Sequence, residues 1–185
     1  MKIGVISDTH GCAARWTLAY EKFLRDADFI LHAGDLLYHG PRNPVPKDYD
    51  PAELAARINA CQVPLVGAKG NCDSEVDASV LEAPVEAPYA TVVAGGMRIV
   101  VTHGHLCETA AQKLKLAKHW KADLFVSGHT HVAGVYRQDG VIFLNPGSPA
   151  LTKREDGRAT IALVGAEKIE IVDIDTDEIV ETLPR

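Results

Sequence analysis

Seven side chains of metal-ligand type sit beyond the ends of short apolar runs: Asp8 and His10 after Lys2–Ser7, Asp35 after Asp28–Ala33, Asn71 after Val63–Val66, His103 after Met97–Thr102, and His129 and His131 after Leu124–Ser127. Oxygen and imidazole donors without a thiolate suit a pair of divalent ions about 3.5–4 Å apart that share one carboxylate. An Asp-x-His pair places two ligands on one short turn, and the His-x-His of Gly128-His129-Thr130-His131 can aim each imidazole at a different ion. Manganese, iron, zinc or cobalt fits such donors, whereas a structural zinc site would call for cysteines. Two divalent cations and a bridging hydroxide, set against the carboxylates of Asp8 and Asp35, leave net positive charge, which favours an anionic substrate such as a phosphate ester. The bridging hydroxide is the expected nucleophile, since metal-bound water ionises near neutral pH.

Each residue taken alone has an ordinary structural use: an Asp after a strand caps a turn or helix, and Asn71 beside Gly70 is common turn chemistry. Their recurrence at five separate strand ends points to a site, because in α/β proteins the loops at the carboxyl ends of strands carry function on a rigid sheet.

The elements that must hold these ends follow from periodicity and punctuation. Lys2–Ser7 predicts a strand, and Trp16, Tyr20, Phe23 and Leu24 recur at helical spacing. Asp28–Ala33 predicts the next strand, followed by a Gly/Pro/Asn-rich loop to about Asp50. Asp50-Pro51-Ala52-Glu53 supplies a cap, a proline at the first helical position and an acid three residues after the cap, so a helix should run to about Cys61. Val63–Val66 predicts a third strand, and the pattern weakens from Lys69 to Ala87. Thr91–Ala94 and Met97–Thr102 flank Gly95-Gly96, a hairpin signal. A helix is expected over Thr109–Trp120. Further strands are expected at Leu124–Ser127, Val132–Tyr136, Val141–Asn145, Thr160–Val164 and Ile169–Ile174, with a tight turn at Asp139-Gly140. Alternation early and strands late predict an α/β protein of two packed sheets flanked by helices.

The chain has 185 residues, 46% hydrophobic and 24% charged, the size and composition of a single globular domain spanning 1–185. Its apolar runs reach about six residues against the roughly 20 needed to cross a bilayer. The apolar N-terminus is interrupted by Asp8 and reads as a strand rather than a signal peptide. Four cysteines without a C-x-x-C pair read as reduced thiols, and a cytoplasmic location is expected. A formal charge of −6 disfavours long nucleic acids as partners.

Asp8-Thr9-His10, Gly34-Asp35, Gly70-Asn71, His103-Gly104-His105 and Gly128-His129-Thr130-His131 resemble, in order, the five blocks of the calcineurin-like metallophosphoesterase family, over residues 3–148. His39-Gly40-Pro41-Arg42-Asn43, the segment Gly70–Asp77 and Asn145-Pro146-Gly147-Ser148 further resemble the small bacterial YfcE-type phosphodiesterases. The resemblance implies a four-layer αββα sandwich of two mixed sheets with the metal pair, manganese first among the candidates, at one edge. It implies Asp8, His10, Asp35 and His131 around one ion, Asp35, Asn71, His103 and His129 around the other, and Asp35 as the bridge. Asn71, Arg42, His39 and His105 are candidate substrate contacts, Lys69 a weaker one, Asp73 a residue that orients a ligand, and Asn145-Pro146-Gly147 a turn near the ions. Many family members carry Asn-His-Asp in the third block, and here Cys72 stands in place of that His, between Asn71 and Asp73. A neutral thiol carries no positive charge and donates weakly. No catalytic side chain is therefore assigned, and a phosphodiesterase acting on small diesters with good leaving groups is the expectation. The alternatives are a phosphomonoesterase or nucleotide polyphosphate hydrolase on the same site, and a non-catalytic protein-binding scaffold resembling the retromer subunit of this fold. The YfcE-type resemblance also implies a homo-oligomer, a dimer or tetramer.

Overall fold

The computed structural model describes all residues, 1–185. Seven strands form one mixed sheet, in the order β12 (Ile179–Pro184), β11 (Lys168–Asp173), β10 (Thr160–Val164), β1 (Ile3–Ile6), β2 (Phe29–His32), β3 (Leu65–Ala68) and β4 (Val85–Glu86). Five form the other: β5 (Tyr89–Ala94), β6 (Met97–Thr102), β7 (Leu124–Ser127), β9 (Val141–Asn145) and β8 (Gly134–Gln138). Strands β1 to β4 run parallel to one another, as do β6, β7 and β9; in the first sheet the parallel strands reach the β4 edge with antiparallel β10–β12 on the other side, and in the second antiparallel β5 and β8 flank the parallel centre.

Period-two alternation explains the layering. Ile3, Val5 and Leu31 face inward to meet Ile99, Val101, Leu124 and Val126 of the second sheet. The intervening Ile6 and Ile30 face outward, where Trp16, Leu24, Leu54 and Ile58 of helices α1 (Ala13–Ala19) and α2 (Pro51–Asn59) cover them. On the far side Val100, Phe125 and Phe143 pack beneath Ala117 of helix α4 (Ala110–His119). Central strands buried on both faces read as continuous apolar runs for this reason, and the result is the expected αββα sandwich.

Local chemistry places most boundaries. The Asp50 side chain accepts the Glu53 N–H at 2.9 Å, and Thr109 with Gln112 forms a capping box. Helix α1 continues over Tyr20–Leu24 as a π-helical turn, which keeps Leu24 in the core. Three expectations shift. Pro64 has no N–H for a ladder, and the third strand occupies Leu65–Ala68. Strand β8 lies two residues later than expected, at Gly134–Gln138. The weak stretch 69–87 folds a short helix α3 (Asp77–Val80) and strand β4, and the C-terminal segment adds the edge strand β12, beyond the strands expected from the sequence. All four cysteines are free thiols, and no helix is long and apolar enough to cross a membrane.

Asp73 ties together the loops that leave β2 and β3. Its carboxylate accepts the backbone N–H groups of Asp35 (2.8 Å), Leu36 (2.7 Å) and Gly70 (2.7 Å). It thus orients backbone rather than an imidazole. Burial pushes its carboxyl up to about 6, although the three N–H bonds favour the charged form. Gly70 is required opposite it, because a Cβ there would collide with the Asp35 carboxylate. Asp73→Asn replaces an acceptor oxygen by an NH₂ group facing a backbone N–H and should cost about 1–3 kcal/mol. At this chain size that corresponds to a fall in Tm of about 2–4 °C per kcal/mol. Urea and thermal unfolding check this, and an unchanged midpoint would show that the three contacts do not anchor the loops.

Candidate metal centre

The carboxyl ends of the parallel strands of both sheets meet at one edge of the sandwich. Asp8 and His10 follow β1, Asp35 follows β2, Asn71 follows β3, His103 follows β6, and His129 and His131 follow β7. The first loops are laced together by Asp8 N–H to Gly34 O (3.0 Å), His10 N–H to Asp35 O (3.1 Å) and Gly11 N–H to Leu36 O (2.8 Å). Asp8, His10, Asp35, His129 and His131 all adopt positive φ, at 56°, 46°, 56°, 71° and 58°. Left-handed backbone at non-glycine residues is disfavoured, and its concentration in these turns is the kind of strain that functional sites hold.

The imidazoles are aimed by their outward nitrogens. His10 Nδ1 lies 2.9 Å from Tyr38 O, His103 Nδ1 lies 2.8 Å from Ala33 O, and His131 Nδ1 contacts Leu151 O. A carbonyl only accepts, so each Nδ1 carries the hydrogen and each Nε2 faces inward. His10 Nε2 and His131 Nε2 are 3.2 Å apart, and 3.7 Å and 3.2 Å respectively from Asp8 Oδ1. The second group gathers on His103 Nε2, with Asn71 Oδ1 at 3.1 Å, His129 Nδ1 at 3.2 Å and Asp35 Oδ2 at 3.3 Å. Asp35 Oδ2 also lies 3.7 Å from His10 Nε2, so it touches both groups.

Asp8 Oδ1 is buried and has no hydrogen-bond partner, while Oδ2 accepts from Ser7 Oγ (2.6 Å) and the His129 N–H (3.1 Å). An unpartnered carboxylate oxygen facing imidazole lone pairs is repulsive without a cation, and the oxygen–imidazole donor set fits hard or borderline divalent ions. The geometry therefore fits a metal centre. Burial alone would raise Asp35, but the His103 imidazole and the Cys72 N–H hold it well below the usual carboxylate range, and Asp8 is likewise held low by His131 and His103. His103 rises to about 9: burial opposes its charge, but Asp35 and Asp8 outweigh burial. A proton on His103 is what a cation arriving here would displace. Burial pushes His10 and His129 down, keeping them neutral as ligation requires.

The groups open into a cavity of about 830 Å³ whose walls include Asn71, Cys72, His129, His131, Arg42 and Lys153. Arg42 reaches it, as expected. His39 does not: its ring is held edge-on between Tyr38 and Tyr49, with centroids at 4.7 and 5.1 Å. His105 packs 5.5 Å from the His103 ring, behind it rather than in the cavity. Lys69 is engaged by Glu75. Cys72 faces the cavity, and its Sγ lies within 4.8 Å of ligand-type atoms of His10 and Asp35. Burial and the Asp35 charge push the thiol up to about 12. Asn145 braces the His-x-His turn by donating to Gly128 O (3.0 Å) and Thr130 Oγ1 (2.9 Å), and Ser148 Oγ donates to Asp8 O (2.8 Å).

Two participants carry no motif in the sequence. His32, the last residue of β2, is buried between Thr9 Oγ1 (3.0 Å) and the Gly34 N–H (3.1 Å), and burial lowers its pKa to about 3. It is a neutral strut between the Asp8 and Asp35 turns. Lys153, held by its own N–H on His131 O (3.1 Å), brings a cation to the cavity from a loop distant in sequence.

Comparison with known proteins agrees with this geometry. The calcineurin-like phosphoesterase superfamily domain matches residues 1–168. "Phosphodiesterase YfcE" of Escherichia coli strain K12 is 36% identical over 154 residues, 83% of this chain and 82% of that protein. "Probable metallophosphoesterase YsnB" of Bacillus subtilis is 29% identical over 168 residues, 88% and 85% of the two chains. The solved structure of the E. coli phosphoesterase YfcE superposes with a TM-score of 0.85 at 30% identity, covering 99% of this chain and 98% of that one. Vacuolar Protein Sorting 29 from Cryptosporidium parvum shares the fold at a TM-score of 0.68 and 19% identity, over 100% and 96% of the chains. From residues, site geometry and these matches alike, the chain belongs to the calcineurin-like phosphoesterase superfamily.

Proposed function

We propose that the protein is a metal-dependent phosphodiesterase in which Asp8, His10, Asp35 and His131 hold one divalent ion and Asp35, Asn71, His103 and His129 a second, manganese being the first candidate. The observation that carries this reading is the inward convergence of three Nε2 atoms, fixed by their Nδ1 contacts, on Asp8 Oδ1, a buried carboxylate oxygen without a partner. The 36% identity to a protein named phosphodiesterase supports the substrate class. Such ions, when bound, supply Lewis acidity and a nucleophile from water at neutral pH.

The chain's own residues set what can react. Arg42 and Lys153 line the cavity and suit the non-bridging oxygens of a phosphate, Arg through its planar fork and Lys as a point charge. Asn71 Nδ2 contacts Cys72 Sγ at 3.2 Å, while Asn71 Oδ1 faces His103. Burial and the Asp35 charge favour the neutral thiol at Cys72. It neither adds positive charge nor donates a proton readily to a departing oxygen, so departure rests on the intrinsic acidity of the leaving alcohol. Aryl diesters therefore suit the site better than alkyl monoesters. A small phosphoester partner, a homo-oligomer and a cytoplasmic setting belong to the same reading. A scaffold role is disfavoured by the retention of the full set of ligand-type side chains, since buried ionisable clusters are costly to keep.

Asp35→Asn keeps an oxygen for the Cys72 N–H but removes the charge shared by both groups. It should lower kcat/KM on bis(4-nitrophenyl) phosphate by on the order of 10³ or more and reduce bound manganese by elemental analysis while leaving circular dichroism unchanged. A fully active variant refutes the shared-carboxylate role. Cys72→His should raise kcat/KM for an alkyl monoester by about 10²-fold, the range of a single general acid, with a smaller effect on the aryl diester. Equal rates on the two substrates by the unaltered enzyme would show that the thiol does not limit leaving-group departure.

A further inference from the structure

Behind His129, on the side away from Arg42, lies a recess of about 300 Å³ without a single apolar residue in its lining. Lys113 of α4 and Lys153 enter it, with Gly104, Thr130 and His129 between them and the exposed Glu108 among the lining residues. The Lys113 ammonium is half-buried and donates to Ser127 Oγ at 3.1 Å, the residue that ends β7 just before the His-x-His turn. It forms no ion pair, unlike Lys22, Lys69, Lys118 and Lys168, each of which holds a carboxylate. Burial lowers its pKa, as expected of a cation withdrawn from water without a counter-charge. Gly104 has φ +106°, and a Cβ there would stand 3.4 Å from Ser127 Cβ and 3.8 Å from His129 Cβ, on the floor of the recess. The recess and the metal cavity share His129 and Lys153 as their common wall.

We infer that this recess is a second-phosphate subsite, so that the preferred substrate is a diester carrying a further phosphate group which Lys113 receives, with Lys153 standing between it and the scissile phosphate on the other side of His129. The inference rests on the phosphodiesterase reading and adds the chemistry of the substrate beyond the bond that breaks. A half-buried ammonium without a carboxylate, presented beside a polar hollow of this size, suits a dianionic phosphate with several acceptor oxygens. Glu108 leaves the lining net positive, two lysines against one carboxylate.

The test uses a matched pair with the same scissile bond: thymidine 5′-(4-nitrophenyl phosphate), with and without a 3′-phosphate, on the manganese-loaded protein. The 3′-phosphate should lower KM by about tenfold, the size of one charge-assisted contact. Lys113→Met should abolish that advantage while leaving the unphosphorylated ester unchanged, and Lys113→Arg should retain it. Calorimetry on the metal-free protein provides an independent readout: thymidine 3′,5′-bisphosphate should bind about tenfold more tightly than thymidine 5′-phosphate, a preference lost in Lys113→Met. Equal KM for the two esters, or a loss of turnover on both in Lys113→Met, overturns the subsite while the phosphodiesterase reading stands. No hydrolysis of the plain ester defeats the phosphodiesterase reading itself, and the calorimetric preference then decides the recess alone.

Discussion

Two carboxylates, Asp8 and Asp35, are buried at the edge where the sheets meet, and their charge is the constraint around which the surrounding structure is arranged. A buried carboxylate is tolerated only when charge or hydrogen bonds replace water. Asp35 has the Cys72 N–H and His103, whereas Asp8 leaves one oxygen with no donor at all. The imidazoles around them cannot fill that need with their Nδ1 hydrogens, which are committed to backbone carbonyls. Beyond the proton that Asp35 and Asp8 draw onto His103, the edge lacks positive charge at its centre, the property that makes it a cation site and, once charged, a phosphate site.

The sandwich meets that constraint through strand direction. The parallel strands of each sheet deliver their carboxyl ends to the same edge, and the inter-sheet core of Ile3, Val5, Leu31, Ile99, Val101, Leu124 and Val126 fixes those ends relative to one another. Left-handed turns then curl Asp8, His10, Asp35, His129 and His131 inward. Asp73, His32, Asn145 and Ser148 brace those turns through backbone contacts, so precision in the centre comes from polar struts one layer behind it.

The ligand-type residues were legible because short β-branched runs end abruptly in Asp, His and Asn, a contrast of chemistry that needs no tertiary information. Helix α2 was legible from Asp50-Pro51 for the same reason. Elements whose residues do not declare themselves were not: Gly67 and Ala68 pair as a strand only because β2 and β4 flank them, and β12, broken by Glu181 and ending in Pro184, is an edge strand stabilised by its neighbour β11. Distances between loops were equally hidden. Nothing near Lys153 or Lys113 marks them as neighbours of His129, and nothing near His39 shows that Tyr38 and Tyr49 hold its ring away from the cavity. Backbone at positive φ in non-glycine residues likewise leaves no compositional trace.

The thiol at Cys72 and the lysines around His129 flank the centre from two sides, the first supplying no positive charge and the second adding it. Both matter only if a cation pair sits where the carboxylates point. Anomalous diffraction at the manganese edge from crystals grown with Mn²⁺ measures that directly. Two peaks about 3.5–4 Å apart are predicted, one against Asp8, His10 and His131, the other against Asn71, His103 and His129, with Asp35 reaching both. A single peak, or a pair lying away from Asp35, would contradict the account.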